Sequence, residues 1–223
     1  MRPTRSALLM VALALAGCTL PGKEEFKPQP VITAPPPTKA EIWQRIARSE
    51  DANRIRRTGM AWSSGLEEAR GAGFADEIRA EGKLLAANAA QAKPAPTPGS
   101  YSCRMIRLGK ENGKGPAFQK FKPFFCYVGV EGELFTIVKQ TGSQRPAGRL
   151  WEDDNPSRLI FLGTLALGSE EESRAYGEDP RRDMAGIFER FAPFKWRLVI
   201  PFPQSGARLD VFELTPVAEQ PPE

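Results

Sequence analysis

Histidine is absent from all 223 residues. That absence removes Ser-His-Asp and Cys-His nucleophile machinery, imidazole metal sites and histidine-based pH switches. Carboxylate and lysine chemistry survive it. Cysteine is scarce, with three residues at positions 18, 103 and 126, and no two stand at a CxxC or zinc-ligand spacing. No metal or cofactor is therefore expected. A dominant charge is lacking too: 31 basic against 27 acidic side chains leave a net charge of +4. That balance is too mild for a nucleic-acid footprint, so no nucleic-acid partner is expected. Long apolar runs are also missing near the start, where Ala7–Ala16 is ten residues long. As a helix it would span about 15 Å, half of a hydrocarbon core of roughly 30 Å, which is too short for a stable crossing.

What is present at that end has the form of a secretory signal over residues 1–17. Met1-Arg2-Pro3-Thr4-Arg5 is basic, the apolar run follows, and Ala16-Gly17 supplies small residues before a cut. Leu15-Ala16-Gly17-Cys18 resembles the lipobox of bacterial lipoproteins. The resemblance implies a diacylglyceryl group on the Cys18 thiol, with cleavage just before it. Two or more acyl chains hold a protein firmly to a bilayer, where one holds only marginally. Thr19 stands where an inner-membrane retention signal usually has Asp. The expected location is thus the outer membrane, facing the periplasm, with the membrane as a partner through lipid on Cys18. Cys103 and Cys126 remain, each in a short β-like run. In an oxidising compartment they are expected to form a structural disulfide rather than a redox or metal pair.

Residues 18–37 read as a proline-rich tether, with Pro21, Pro28, Pro30 and Pro35-Pro36-Pro37 favouring extended backbone. Residues 38–92 read as a helical segment. Thr38 and Glu41 match a capping box. Ile42, Trp43 and Ile46 follow at helical spacing. A second stripe runs through Ile55, Trp62, Leu66 and Ala69, and a third through Phe74, Ile78 and Leu85. Trp43 and Trp62 are expected to be packing anchors. Residues 93–99 form a second proline-rich linker, and 218–223 a disordered tail.

From Ser100 the texture is β. Strands are expected at Ser100–Leu108, Pro123–Val130, Glu133–Thr141, Gly148–Glu152, Arg158–Leu167, Met184–Ala192, Lys195–Phe202 and Arg208–Pro216. Eight short strands without intervening helices predict an antiparallel barrel over 100–217 or, failing that, a β-sandwich. The fold class is α+β.

Several stretches carry a family resemblance: Pro98-Gly-Ser-Tyr-Ser-Cys-Arg-Met-Ile-Arg-Leu-Gly109, Phe124-Phe-Cys-Tyr-Val-Gly129, Lys139-Gln-Thr-Gly-Ser-Gln-Arg145 and Arg197-Leu-Val-Ile-Pro201. With Asp51 through Gly82 they resemble the DUF4893 family of bacterial proteins over about residues 40–217. That resemblance implies no catalytic residues. The β half is also similar in style to the lipocalin-like barrels of periplasmic protease inhibitors, through strand count, the cysteine pair and Trp196.

Lys139 through Trp151 is the most unusual stretch, because Gln144, Arg145, Arg149 and Trp151 gather near an expected inter-strand loop, Thr141–Gly148. Arginine beside an aromatic can hold carboxylates, phosphates or sugars by fork hydrogen bonds and stacking. In the competing reading the arginines cap carbonyls and cover the barrel rim. Gly109-Lys-Glu-Asn-Gly-Lys-Gly115 lacks phosphate-loop spacing and reads as a solvated hairpin, while Lys120 and Lys122 are candidates for anionic headgroups. The acidic run Glu170-Glu171-Glu172 with Glu178, Asp179 and Asp183 lacks a calcium-loop pattern. The expectation is a non-enzymatic module that binds a small ligand or a periplasmic protein, as an inhibitor would. An envelope glycan hydrolase using Asp153, Asp154, Glu170 or Asp183 is one alternative, and a structural envelope lipoprotein is another.

Overall fold

A computed structural model describes residues 35–168, 170 and 173–217. The leader, Cys18, most of the tether, Glu171, Glu172 and the tail at 218–223 lie outside the described residues.

Local signals set the helices. α1 (Lys39–Ile46) starts at a complete capping box: the Thr38 hydroxyl accepts from the Glu41 N–H at 3.2 Å, and the Glu41 carboxylate accepts from the Thr38 N–H at 3.0 Å. α2 (Ser49–Arg56) carries Glu50 and Asp51 in its first turn and Arg54 and Arg56 in its last, the order that complements the helix dipole. The stripe expected to be continuous through Ile55 and Trp62 breaks at Arg57. There the chain turns into α3 (Thr58–Gly71), and the Thr58 hydroxyl donates to the Ile55 carbonyl at 2.7 Å. α3 buries Ala61, Trp62, Gly65, Leu66 and Ala69, an i, i+3, i+4 pattern. Gly73, at φ +93°, ends it. α4 (Ala75–Ala80) and a 3-10 turn (Gly82–Leu85) complete the helical segment.

Nine strands follow: β1 (Gly99–Leu108), β2 (Phe118–Lys120), β3 (Phe124–Glu131), β4 (Leu134–Lys139), β5 (Gln144–Glu152), β6 (Leu159–Leu167), β7 (Asp183–Ala192), β8 (Lys195–Pro201) and β9 (Leu209–Pro216). All pairings are antiparallel, and β1 pairs with β9, so the sheet closes into a barrel. β2 and β3 lie on the same edge of β1: Gly99–Cys103 face Val128–Phe124, and Ile106–Leu108 face Lys120–Phe118. They are two pieces of one stave, interrupted at Phe121–Pro123, where proline lacks the N–H a ladder needs. The barrel is therefore eight-stranded, as the sequence predicts. β2 is the addition, and β5 begins at Gln144, four residues earlier than expected.

Alternation sorts the side chains. Tyr101, Cys103, Val128, Ile137, Leu150, Phe161, Phe188, Trp196, Leu198 and Leu214 face inward and form the interior core. Tyr101 and Trp196 meet edge to face, with centroids 5.9 Å apart. Gly148 and Gly163 face each other across β5 and β6; a Cβ on either would run into the other strand and the Phe161 ring, so the close approach requires glycine. Cys103 and Cys126 form a disulfide between β1 and β3, with Cα atoms 6.0 Å apart.

Outward residues meet the helices. Ile106, Leu108, Val199, Leu209 and Val211 pack under α3 and α4, while Ile160, Leu162, Ala185 and Ile187 pack under α1 and α2. Helices and barrel thus share one packed unit, and Pro94 and Pro96 of the expected linker are buried. Arg197 holds the seam. It is fully buried on the outside of β8, where it donates to Glu189 at 2.7 and 2.9 Å, to the Leu84 and Ala86 carbonyls at 2.9 and 2.8 Å, and stacks on Trp62. A buried guanidinium is tolerated only with this complete set of acceptors. Among the described residues no helix packs on the outer face of β3 and β4, and Phe125, Tyr127 and Val138 are exposed there.

Candidate functional site

The interior is filled at one end only. Towards the end where β1 starts and β9 finishes, aromatic rings close it. Towards the other end a cavity of about 730 Å³ opens between the staves. Inward alternation builds its walls: Met105 from β1, Phe124 from β3, Leu165 from β6, Met184 from β7, Ile200 from β8 and Phe212 from β9. Beneath Met105 and Phe124 lies the disulfide, which pins β1 to β3 just where β1 exchanges one half-stave for the other. The break in that stave leaves Phe121 and Lys122 at the mouth; the Phe121 N–H donates to the Met105 carbonyl at 3.0 Å. The volume is that of a small-molecule pocket, with apolar walls inside a lining rich in charged groups.

Charges ring the mouth. Arg107 and Asp210 are register partners on β1 and β9, joined by two hydrogen bonds of 2.7 Å, and Arg107 also pairs with Glu111 and lies over the Phe121 ring. Burial pushes the Asp210 carboxyl above the usual carboxylate range, although Arg107 pulls the other way. Arg54 is held by Asp51 at 2.8 Å, and Asp51 also accepts from the Tyr176 hydroxyl at 2.6 Å. Arg182 pairs with Glu170 at 2.6 Å, and Arg181 with Asp179 at 3.2 Å. Lys139 ends β4 in an inward position, with its Nζ 4.2 Å from the centre of the Phe124 ring. Burial, then the neighbouring Arg145 charge, push its ammonium below the usual lysine value.

The four residues singled out in the sequence do not converge. Because Gln144 opens a strand rather than sitting in a loop, period-2 alternation turns it inward and Arg145, Arg149 and Trp151 outward, and the outward three are spread along the strand. Gln144 lines the cavity. Arg145 donates to the Gly142 and Gly168 carbonyls at 3.1 and 2.6 Å and to the Glu170 carbonyl, so it braces the rim. Arg149 forms an exposed fork with Glu131 at 2.6 and 3.0 Å, and Trp151 packs under the helices beside Trp43. Lys120 pairs with Glu81 at 2.6 Å, and Lys122 stands at the mouth. The Gly109–Gly115 loop is a turn closed by a Glu111–Lys114 bridge, and its Glu111 and Asn112 also reach the mouth.

The carboxylates weighed for hydrolysis are split between the two ends of the barrel. Asp153 is buried and accepts from Trp43 Nε1 at 2.8 Å and Arg158 Nε at 2.6 Å, and Asp154 accepts from the Ala40 N–H at 3.2 Å. Asp183 sits at the cavity end, its carboxyl raised by burial and one oxygen buried without a hydrogen-bond partner among the described residues. Among the described residues no group of His, Cys, Asp or Glu is arranged to hold a metal ion.

The cavity residues escaped the sequence reading because they are scattered over eight strands and the segments that join them. The inward registers of Met105-Arg107 and Ile137-Lys139 were the available signal: a charge placed where the alternation demands an apolar residue. Among comparisons with known proteins, a family model described as "Domain of unknown function (DUF4893)" matches residues 43–214. No curated protein and no solved structure matches the chain.

Proposed function

The chain belongs to the DUF4893 family, and we propose that it is a non-enzymatic binding module whose barrel holds a small ligand at the inner face of the outer membrane. One observation carries the reading: an eight-stranded barrel whose interior is filled in one half and open in the other. A barrel used only as a scaffold or as a protein-docking block gains stability by filling its interior; an unfilled half sacrifices apolar contact along every stave. The apolar wall and charged mouth favour a ligand over a protein partner.

The leader and the Cys18 lipobox support the envelope placement, and a disulfide suits an oxidising compartment. The test is native mass spectrometry of the protein purified from envelope membranes, beside a Leu165→Trp variant that fills the cavity. The expected result is a diacylglyceryl-modified Cys18 peptide and a small molecule released on denaturation, the latter lost in the variant. A leader-bearing, unmodified chain would overturn the placement. An equal small-molecule load in the variant, or none in either protein, would overturn the binding role.

A further inference from the structure

We infer that the cup takes an amphipathic organic anion, with its acidic head on the Lys139 ammonium and its apolar body against Met105, Phe124, Leu165, Met184, Ile200 and Phe212. This inference rests on the cavity being the binding site. Most cations around the cavity have a carboxylate partner. Arg54 has Asp51, Arg107 has Asp210 and Glu111, Arg181 has Asp179, and Arg182 has Glu170 and Asp179. Lys122 stands exposed on the outer lip. Lys139 alone combines an inward register, partial burial and no carboxylate partner among the described residues.

Its surroundings make the missing partner costly. The Phe124 face gives the ammonium one soft contact. The like-charged Arg145 acts on it, and the Arg145 donors go to three backbone carbonyls. A methionine or leucine at position 139 would continue the Phe135-Ile137 inward row and extend the apolar wall, so the cation is unfavourable for the barrel alone. An anion entering from the mouth reverses the sign of that cost: it meets Lys139 in a partly desolvated place and relieves its repulsion with Arg145. Asp210 cannot serve, because Arg107 engages both of its oxygens. Met105, Phe124, Leu165, Met184, Ile200 and Phe212 share the lining and offer the rest of the ligand apolar contact.

The experiment measures binding of dodecanoate, dodecanol, dodecyltrimethylammonium and acetate by calorimetry to the full chain carrying Cys18→Ser, which avoids detergent. Dodecanoate is expected to bind at least ten-fold more tightly than dodecanol or the ammonium amphiphile, and acetate to give no signal. Lys139→Met should bring the acid-to-alcohol ratio close to one while dodecanol still binds, which also shows that the variant folds. Lys139→Arg should keep the preference. Equal affinity for acid and alcohol in the parent, or an unchanged ratio in Lys139→Met, would overturn the charge assignment and leave the cavity reading intact. If none of the three long-chain compounds binds and Leu165→Trp alters nothing, the cavity reading fails and the assignment fails with it.

Discussion

The two halves of the barrel interior are lined by the same eight staves with the same alternation, yet one is a core and the other a cup. In the closed half the inward positions hold Tyr101, Phe161, Phe188 and Trp196, large rings that reach the axis and interlock. In the open half Phe124 and Phe212 are the inward rings, and other inward positions go to Met105, Arg107, Lys139, Gln144, Pro146 and Asp210. Charged side chains are costly to bury without partners, so Arg107 and Asp210 pair with each other and Lys139 stays half-buried. None of them adds the apolar filling that the rings give the closed half. The stave broken at Phe121–Pro123 lies on the same side, and the disulfide stands at the border between the halves. Filling and opening are thus set by side-chain type at matched register, together with the one broken stave.

The sharpest way to break this contrast is truncation. Phe188→Ala, in the closed half, should cost about 3–5 kcal/mol of unfolding free energy, because the cavity it leaves is walled on all sides. Leu165→Ala, facing a space that already exists, should cost less than half of that, about 1 kcal/mol. Urea unfolding of both variants decides it, and equal losses would mean the two halves are packed alike. Next in size is the border. Reducing the Cys103–Cys126 bond, which spans a sequence separation of 23, should cost roughly 3 kcal/mol on a chain-entropy account. Hydrogen exchange should then rise first around Met105 and Phe124, where β1 changes partner. Loss of protection starting at Tyr101 instead would place the weak point in the closed half.

The smallest effect is a pH dependence outside the closed half, where α1 docks on the end of β5. Burial alone would raise the Asp153 carboxyl, but Trp43 Nε1–H and the Arg158 guanidinium outweigh it and hold it below the usual carboxylate value. A depressed folded-state value means that the stabilisation is fully present above the unfolded value of about 3.9 and is lost as pH falls through the folded one. Trp43 emission, isolated by difference against Trp43→Phe, should shift as the solution is acidified below about pH 4, whereas Asp153→Asn should abolish that acid transition. A transition that survives in Asp153→Asn would assign it to another carboxylate.

Much of the fold was legible because its signals are local. The capping box at Thr38 and Glu41 and the turns between strands each depend on a few adjacent residues. The site was less legible. Gln144, Arg145, Arg149 and Trp151 are sequence neighbours, but β5 starts at Gln144: alternation turns Gln144 inward and the other three outward, where they are spread along the strand with separate partners. Lys139 stood at the edge of the same stretch and looked ordinary there. Its meaning depends on Phe124 and Arg145, and on carboxylates that other cations hold.

The amino-acid order by itself determined the alternation that makes eight staves, the helix caps, and the placing of two cysteines where neighbouring strands can join them. Only the tertiary structure decided that the barrel is half empty, that Arg197 locks the helices down while Lys139 faces open space, and that the arginines of the 144–151 stretch brace the wall. The physical reason is range. Backbone propensity and alternation act over a few residues, whereas the balance between a filled interior and a charged mouth sums contributions from strands more than a hundred residues apart, and exists only once the sheet has closed.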